Sequence, residues 1–221
     1  MHNNRFLIVS IASLVIVSTS VIASELTSSK TMDQLRSEHP RLYTMELDGM
    51  IHKLVDKQLA TGVTPLASAE DFIQKWSYAL DVDANEFIER GPFSDGHSHQ
   101  QLMFNADTGL HKFTNVYYMQ TADGLPVYGS RLSVLVRNVE GFPAVSATTD
   151  FRNVWGFTAP KRLLTTEFSA QNAAVIRLGR GATTSTPELM VYAGTAEVPH
   201  APTAALVFVA TYGGHWDYEN Y

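Results

Sequence analysis

The chain has 221 residues, of which 45% are hydrophobic and 17% charged, with a formal net charge of −6. This balance is that of a globular chain and excludes a disordered one, and the acidic sign, with no cluster of Lys and Arg, argues against nucleic acid as a partner. There is no cysteine, so disulfides, thiolate ligands and cysteine nucleophiles are excluded and a hydrophobic core must stabilise the fold.

The N-terminus reads as an export signal. Arg5 precedes an uncharged run over residues 6–23 that is rich in Leu, Ile and Val. Val21 and Ala23 supply the small residues at positions −3 and −1 of a signal-peptidase site, which makes Ser24 the mature start. The run is shorter than the ~20 apolar residues of a spanning helix. The expected product is exported, secreted or periplasmic, with no membrane association after cleavage.

Residues 24–30 are polar, and residues 32–38 read as a short helix or turn ending before Pro40. Residues 42–60 mix apolar and charged side chains without a clean period and receive no element. Thr64-Pro65 then opens a helical unit, in which Ser68 followed by Asp71 resembles an N-cap with an acid at the third position. Ala69, Phe72, Ile73, Trp76, Ala79 and Leu80 fall on one face, with Phe72 and Trp76 as anchors beneath a sheet. After Gly91-Pro92 the period becomes two. Strands are expected at 102–105, 113–120, 127–137 and 144–151, with turns at Asp107-Thr108-Gly109, Ala122-Asp123-Gly124 and residues 138–141. In the third strand Tyr128, Leu132, Val134 and Val136 alternate with Arg131, Ser133 and Arg137, so one sheet face should be buried and the other wet.

Trp155-Gly156-Phe157 reads as a packing plug between two units. Thr166 caps a second helix through Phe168, Gln171, Ala174, Val175 and Leu178, stopped by Gly179 and Gly181. Strands at 189–193 and 204–212 flank a loop containing Pro199 and Pro202. The expected fold class is α+β, with helices packed on antiparallel sheets in two successive helix-plus-hairpin units after the signal peptide. The divisions are residues 1–23 as signal, 24–64 as an N-terminal segment without assigned structure, 65–157 as one domain and 158–221 as another.

The segment Val116-Tyr117-Tyr118-Met119-Gln120-Thr121-Ala122-Asp123-Gly124-Leu125-Pro126-Val127-Tyr128-Gly129-Ser130-Arg131-Leu132 resembles the signature of the fungalysin/thermolysin propeptide (FTP) motif. In that family a strand with a late Gln, here Gln120, leads through a Gly-x-Pro-Val-aromatic-Gly turn into an alternating strand. Gly124 permits a positive φ, Pro126 fixes φ where a ladder N–H is not needed, and Gly129 allows close approach of another chain or a bulge. The likeness covers residues 112–150. The family often has Arg where this chain has Tyr117, so any role of that Arg does not carry over. Residues 165–212 are similar to the PepSY half that follows the motif in such pro-regions, on the capped helix, Leu189-Met190-Val191-Tyr192 and the strand through Val207. The Asp-Ala-x-x-Gly segment and peptidase domain that follow in the family are not present after Trp216, so the resemblance implies a truncated PepSY-like unit.

What the resemblance implies is the pro-region of a secreted zinc metallopeptidase precursor, an intramolecular chaperone and inhibitor. Its partner would be the cognate metallopeptidase catalytic domain, in cis or in trans. The alternative is a free-standing exported binding or inhibitor module that holds its partner on the wet sheet face around Arg131 and Arg137.

The chain lacks His-Glu-x-x-His and its inverse, Gly-x-Ser-x-Gly and the Walker A loop, so neither catalysis nor a cofactor is expected. Asp81-Val82-Asp83-Ala84-Asn85 begins like a calcium loop, but Glu86 stands where glycine is needed and Pro92 where a bidentate Glu belongs. A solvated acidic turn is the better reading. His97 and His99, with Asp95 and His111, are weak metal candidates, since an i, i+2 pair on a strand can chelate zinc or copper. A polar surface loop is preferred there too. The aromatic tail of Trp216, Tyr218 and Tyr221 is of the kind that marks an interface.

Overall fold

The computed structural model describes residues 7–8, 28–47, 49–92, 96–179, 182–195 and 198–212. The expected cleavage residues Ala23 and Ser24, Asp95, Gly181 and the tail from Trp216 lie outside these. So does the signal run, apart from strand β1 (Leu7–Ile8). No helix among the described residues is long and apolar enough to cross a membrane. The chain divides into two compact units, Thr19–Thr121 with Gly129–Arg152, and Met1–Ser18 with Ala122–Tyr128 and Asn153–Tyr221.

In the unit containing Gly129–Arg152, helix α1 (Ser28–Glu38) leads into a hairpin of β2 (Tyr43–Leu47) and β3 (Met50–Ala60). Helix α2 (Pro65–Trp76) and two short 3-10 turns follow, then β4 (Phe87–Glu89), β5 (His99–Asn105) and β6 (Leu110–Ala122). The short β7 (Leu125–Pro126) belongs to the other unit, and β8 (Arg131–Arg137) and β9 (Ala144–Asp150) follow in this one. The sheet runs in the order β2-β3-β9-β8-β6-β4, and β5 also pairs with β6. β4 meets residues 118–120 of β6 and β5 meets residues 110–116, both antiparallel, so they lie end to end along one edge.

Helix α2 begins where Thr64 accepts a bond from the Ala67 N–H at 3.1 Å and Pro65 occupies the first turn, a position where its missing N–H costs nothing. Thr64 is therefore the cap, not Ser68. Ser68 is buried inside the helix and its hydroxyl donates to the Phe142 carbonyl at 2.5 Å. The face of Ala69, Phe72, Ile73 and Trp76 is buried, as expected, and α2 packs on β3, β8 and β9. Full burial of Phe72 contributes about 2–3 kcal/mol. Trp76 adds a directional tie, its Nε1 donating to the Leu59 carbonyl at 2.8 Å. On β8, Leu132, Val134 and Val136 are fully buried while Arg131 and Arg137 are exposed.

The other unit holds α3 (Glu167–Leu178), β10 (Ala182–Thr184), β11 (Glu188–Gly194), β12 (Pro199–Val207) and β13 (Val209–Tyr212). Thr166 caps α3 through the Ser169 N–H at 3.2 Å. Ala170 and Ala174 pack against Leu206, Phe208 and Ala210, while Phe168 is exposed. β11 and β12 form a hairpin, and β13 lies between β1 and β10.

The α+β expectation of two helix-plus-hairpin units is overturned. Among the described residues strand accounts for 45% and helix for 22%, with three α-helices, and the fold is a β-rich one dominated by antiparallel sheet. The largest source of the difference is residues 42–60, which carry no clean period yet form β2 and β3. Register shifts at Met45/Glu46 and at Val55/Ala60 explain this, because each bulge moves the side chains that follow to the other face and breaks the alternation. The segment takes part in the sheet: β3 pairs with β9, and His39 Nδ1 lies 2.6 Å from Asp56 Oδ2 with its ring edge-on to Trp76. Pro199 and Pro202 stand in β12 instead of a loop. A two-stranded sheet leaves an open edge for residues without an N–H, and Pro202 falls within the register shift after Tyr192. Trp155 is 78% exposed, whereas Phe157 of the same triplet packs with Val127 and Val191.

Tyr118 is buried and its hydroxyl has no hydrogen-bond partner among the described residues. Burial, then the charges of Glu70 and Glu89, push its phenol well above the ordinary value of 10.0. Tyr118→Phe removes no bond and should leave unfolding free energy unchanged or raised by about 1 kcal/mol. Trp76→Phe opens a void and strands the Leu59 carbonyl, and should cost about 2–3 kcal/mol. Urea denaturation of both variants checks this, and equal losses would refute it.

Candidate functional site

The residues of the motif-like segment organise two local clusters. In the first, Gln120 is buried; its backbone N–H donates to Ser130 Oγ at 3.0 Å and its Oε1 accepts from the Arg152 N–H at 3.1 Å. The Arg152 guanidinium then donates from Nη1 to Asp150 Oδ1 at 2.5 Å and to the Phe151 carbonyl at 3.2 Å, and from Nη2 to the Gly129 carbonyl at 3.2 Å. Gly129 has φ 75°, and a Cβ there would lie 3.4 Å from Arg152 Nη2. Glycine suits the left-handed backbone here, while the guanidinium at that distance is an ordinary contact.

In the second cluster, Asp123 and Gly124, with φ 46° and 78°, form the tight turn after β6. Two consecutive positive φ values match the turn twist that a hairpin favours. The Asp123 carboxylate accepts from the Ala159 N–H at 2.8 Å. Pro126 lies in the two-residue β7. Val127 is fully buried, forms a parallel bridge with Val191 and packs with Ala122, Leu125 and Phe157. Burial, then Tyr192, raises the Tyr128 phenol.

Sequence reasoning placed Gln120, Gly124, Pro126, Val127 and Gly129 in one motif, and missed Arg152 and Ser130, which complete its polar half. The available signal was Asp150-x-Arg152 at a strand end, since i and i+2 residues share a face there.

Arg131 and Arg137 share the outer face of β8, six residues or about 20 Å apart. Arg131 stands opposite Asp150 and Arg137 opposite Phe113. They do not form one basic patch.

The metal candidates are not assembled. His99 pairs with Val116 and His111 with Phe104, five residues or about 17 Å apart along β6. His99 Nδ1 is 2.9 Å from Ser98 Oγ and 3.6 Å from Glu89 Oε1, and Ser98 also donates to Glu89. His97 is exposed. No group of three or more His, Asp or Glu that could hold a metal ion occurs among the described residues. At the calcium-like turn, Asp83 Oδ1 is engaged by the Asn85 N–H and Nδ2, both at 2.9 Å, as the cap of a 3-10 turn.

Compared with family profiles, curated proteins and solved structures, the chain matches none.

Two predictions follow from these geometries. Arg152→Ala should cost about 2 kcal/mol by losing the ion pair and the carbonyl contacts, and Gly129→Ala about 1–2 kcal/mol. A double mutant whose loss equals the sum would refute their coupling. Burial raises the Glu86 carboxyl above its ordinary 4.5, so the folded state holds this proton more tightly than the unfolded chain and ionisation destabilises it. Glu86→Gln should therefore melt higher than the wild type at neutral pH, and the gain should vanish below pH 4.5. A pH series of thermal melts decides it.

Proposed function

We propose that this chain is the non-catalytic pro-region of a secreted zinc metallopeptidase of the thermolysin/fungalysin type, assisting the fold of the catalytic domain and inhibiting it, in cis or in trans. The observation that carries the reading is the structured role of the whole motif-like segment. Gln120 and Val127 are buried and Gly124 and Gly129 have positive φ, which supports the resemblance to the propeptide signature at these positions.

A pro-region acts through contact and not through chemistry. When it is covalently joined to its enzyme, the effective concentration is high, so modest contacts keep a cleft closed until proteolysis separates the two. Added in trans, the same contacts must supply all of the affinity. A twisted sheet with one face packed under α2 and the other carrying Arg131, Ser133 and Arg137 offers a broad, ordered surface for such contact.

Thermolysin unfolded in guanidinium and diluted with an excess of this chain should regain more activity than thermolysin diluted alone. The chain itself, incubated with casein and zinc, should give no chelator-sensitive hydrolysis. Unchanged refolding yield together with absence of inhibition removes the pro-region reading, and hydrolysis abolished by a chelator replaces it with an enzymatic one.

A further inference from the structure

Strand β2 closes one side of its sheet, and among the described residues it pairs with β3 alone. Its register with β3 fixes which way each side chain points. Thr44 stands opposite Leu54, which is fully buried, and Glu46 opposite Ile51, which packs on the core. These two therefore lie on the side of α2. Tyr43, Met45 and Leu47 share the other face, beside Val55, Lys53 and Met50. The register shift in this pair falls on β3, where His52 is the extra residue, so the alternation along β2 is unbroken. Tyr43, Met45 and Leu47 are 58%, 44% and 56% exposed.

An edge strand offers a row of unpaired N–H and C=O groups, and folds blunt it with lysine, proline, a bulge or a very short strand. β2 has none of these. It runs Tyr-Thr-Met-Glu-Leu, a strand of ordinary length without proline, lysine or bulge. The opposite edge of the same sheet is blunted. It is divided between the three-residue β4 and β5, and β5 leaves extended backbone at Met103, with φ 58°.

Charge and symmetry select the occupant. The chain carries −6 overall, which opposes self-association, but Glu46 is the one charge on β2 and Arg36 of α1 neutralises it at 3.4 Å. The outward row is also symmetric about Met45. A two-fold axis through Met45, normal to the sheet, sets Met45 against Met45 of a second copy, Tyr43 against its Leu47 and Thr44 against its Glu46. Every pair on the outer face is then apolar, a hydroxyl meets a carboxylate on the inner face, and no like charges stand opposite each other. An isologous contact requires such self-complementarity.

We propose that β2 is a dimerisation edge: two copies of this chain pair antiparallel through β2 about a two-fold axis at Met45, which continues the sheet of one copy into the other. Main-chain hydrogen bonds supply the affinity, and the apolar row fixes the register. The inference does not depend on the pro-region reading, and its test measures neither refolding nor inhibition.

Sedimentation velocity of the full chain over a concentration series should show a species of twice the chain mass that dissociates on dilution. Met45→Lys places two ammonium groups across the axis and should raise the dimer dissociation constant roughly tenfold or more, with an unchanged circular dichroism spectrum. Tyr43→Lys serves if Met45→Lys does not fold, with the same expectation. Met45→Glu should weaken the dimer as well, and an equimolar mixture of Met45→Lys and Met45→Glu should regain it. The chain has no cysteine, so Met45→Cys introduces a single thiol, which should cross-link two copies on mild oxidation because facing positions lie within disulfide reach. Leu47→Cys should not, since the two Leu47 positions lie four residues, about 14 Å, apart along the pair. A wild type that is monomeric at every concentration overturns the proposal. So does a dimer that both lysine variants leave intact, or a cross-link through Leu47→Cys in place of Met45→Cys.

Discussion

Phe72 and Trp76 decide which side of the first unit's sheet is interior. Phe72 fills the space beneath α2, and the bond from Trp76 Nε1 to the Leu59 carbonyl sets the helix in register with the end of β3. From there the pairing passes from β3 to β9, β8 and β6. Side chains alternate along each strand, but the β3–β9 and β8–β9 pairs both contain register shifts, so each strand sets its own buried face against α2. On β8 that face is Leu132, Val134 and Val136, which leaves Arg131 and Arg137 exposed.

Where apolar residues keep a regular period, this architecture is legible in the amino-acid order. The buried face of α2, the alternation along β8, the Asp123-Gly124 turn and the Thr166 cap all rest on local spacing or local turn chemistry. What is not legible depends on bulges and on neighbours distant in sequence. Residues 42–60 hide two strands because two register shifts scramble their alternation, and that loss did most to turn a β-rich fold into an expectation of helix-plus-hairpin units. The helix cap was misplaced by four residues for a related reason. Ser68 has capping chemistry, but its hydroxyl is committed to the Phe142 carbonyl across the sheet, a contact no local pattern reveals.

The polar half of the motif shows the same division. Gly129 is recognisable as a glycine position through its positive φ, whereas the bond its carbonyl accepts from Arg152, beyond the end of β9, is not. The backbone carbonyl of Gly129 and the side chain of Gln120 are both spent on this arginine's residue. The motif glycine and glutamine are thus read here as scaffold: they shape the path of the chain and leave recognition to side chains elsewhere on the sheet. The histidines tell the complementary story. His97 and His99 are close in sequence, but His99 is engaged by Ser98 and Glu89 and His111 lies far along β6, so proximity in sequence does not become a coordination sphere.

The end-to-end placement of β4 and β5 along β6 has an architectural consequence. Both strands hydrogen-bond to the same neighbour with the same polarity, and the line of pairing continues through Arg90, whose N–H donates to the Tyr117 carbonyl, and Ser98, whose carbonyl accepts from the Tyr117 N–H. Only what lies between Arg90 and Ser98 departs from that line. An insertion confined there leaves the register of both strands on β6 as it is, which makes it a place for an engineer to graft a foreign loop.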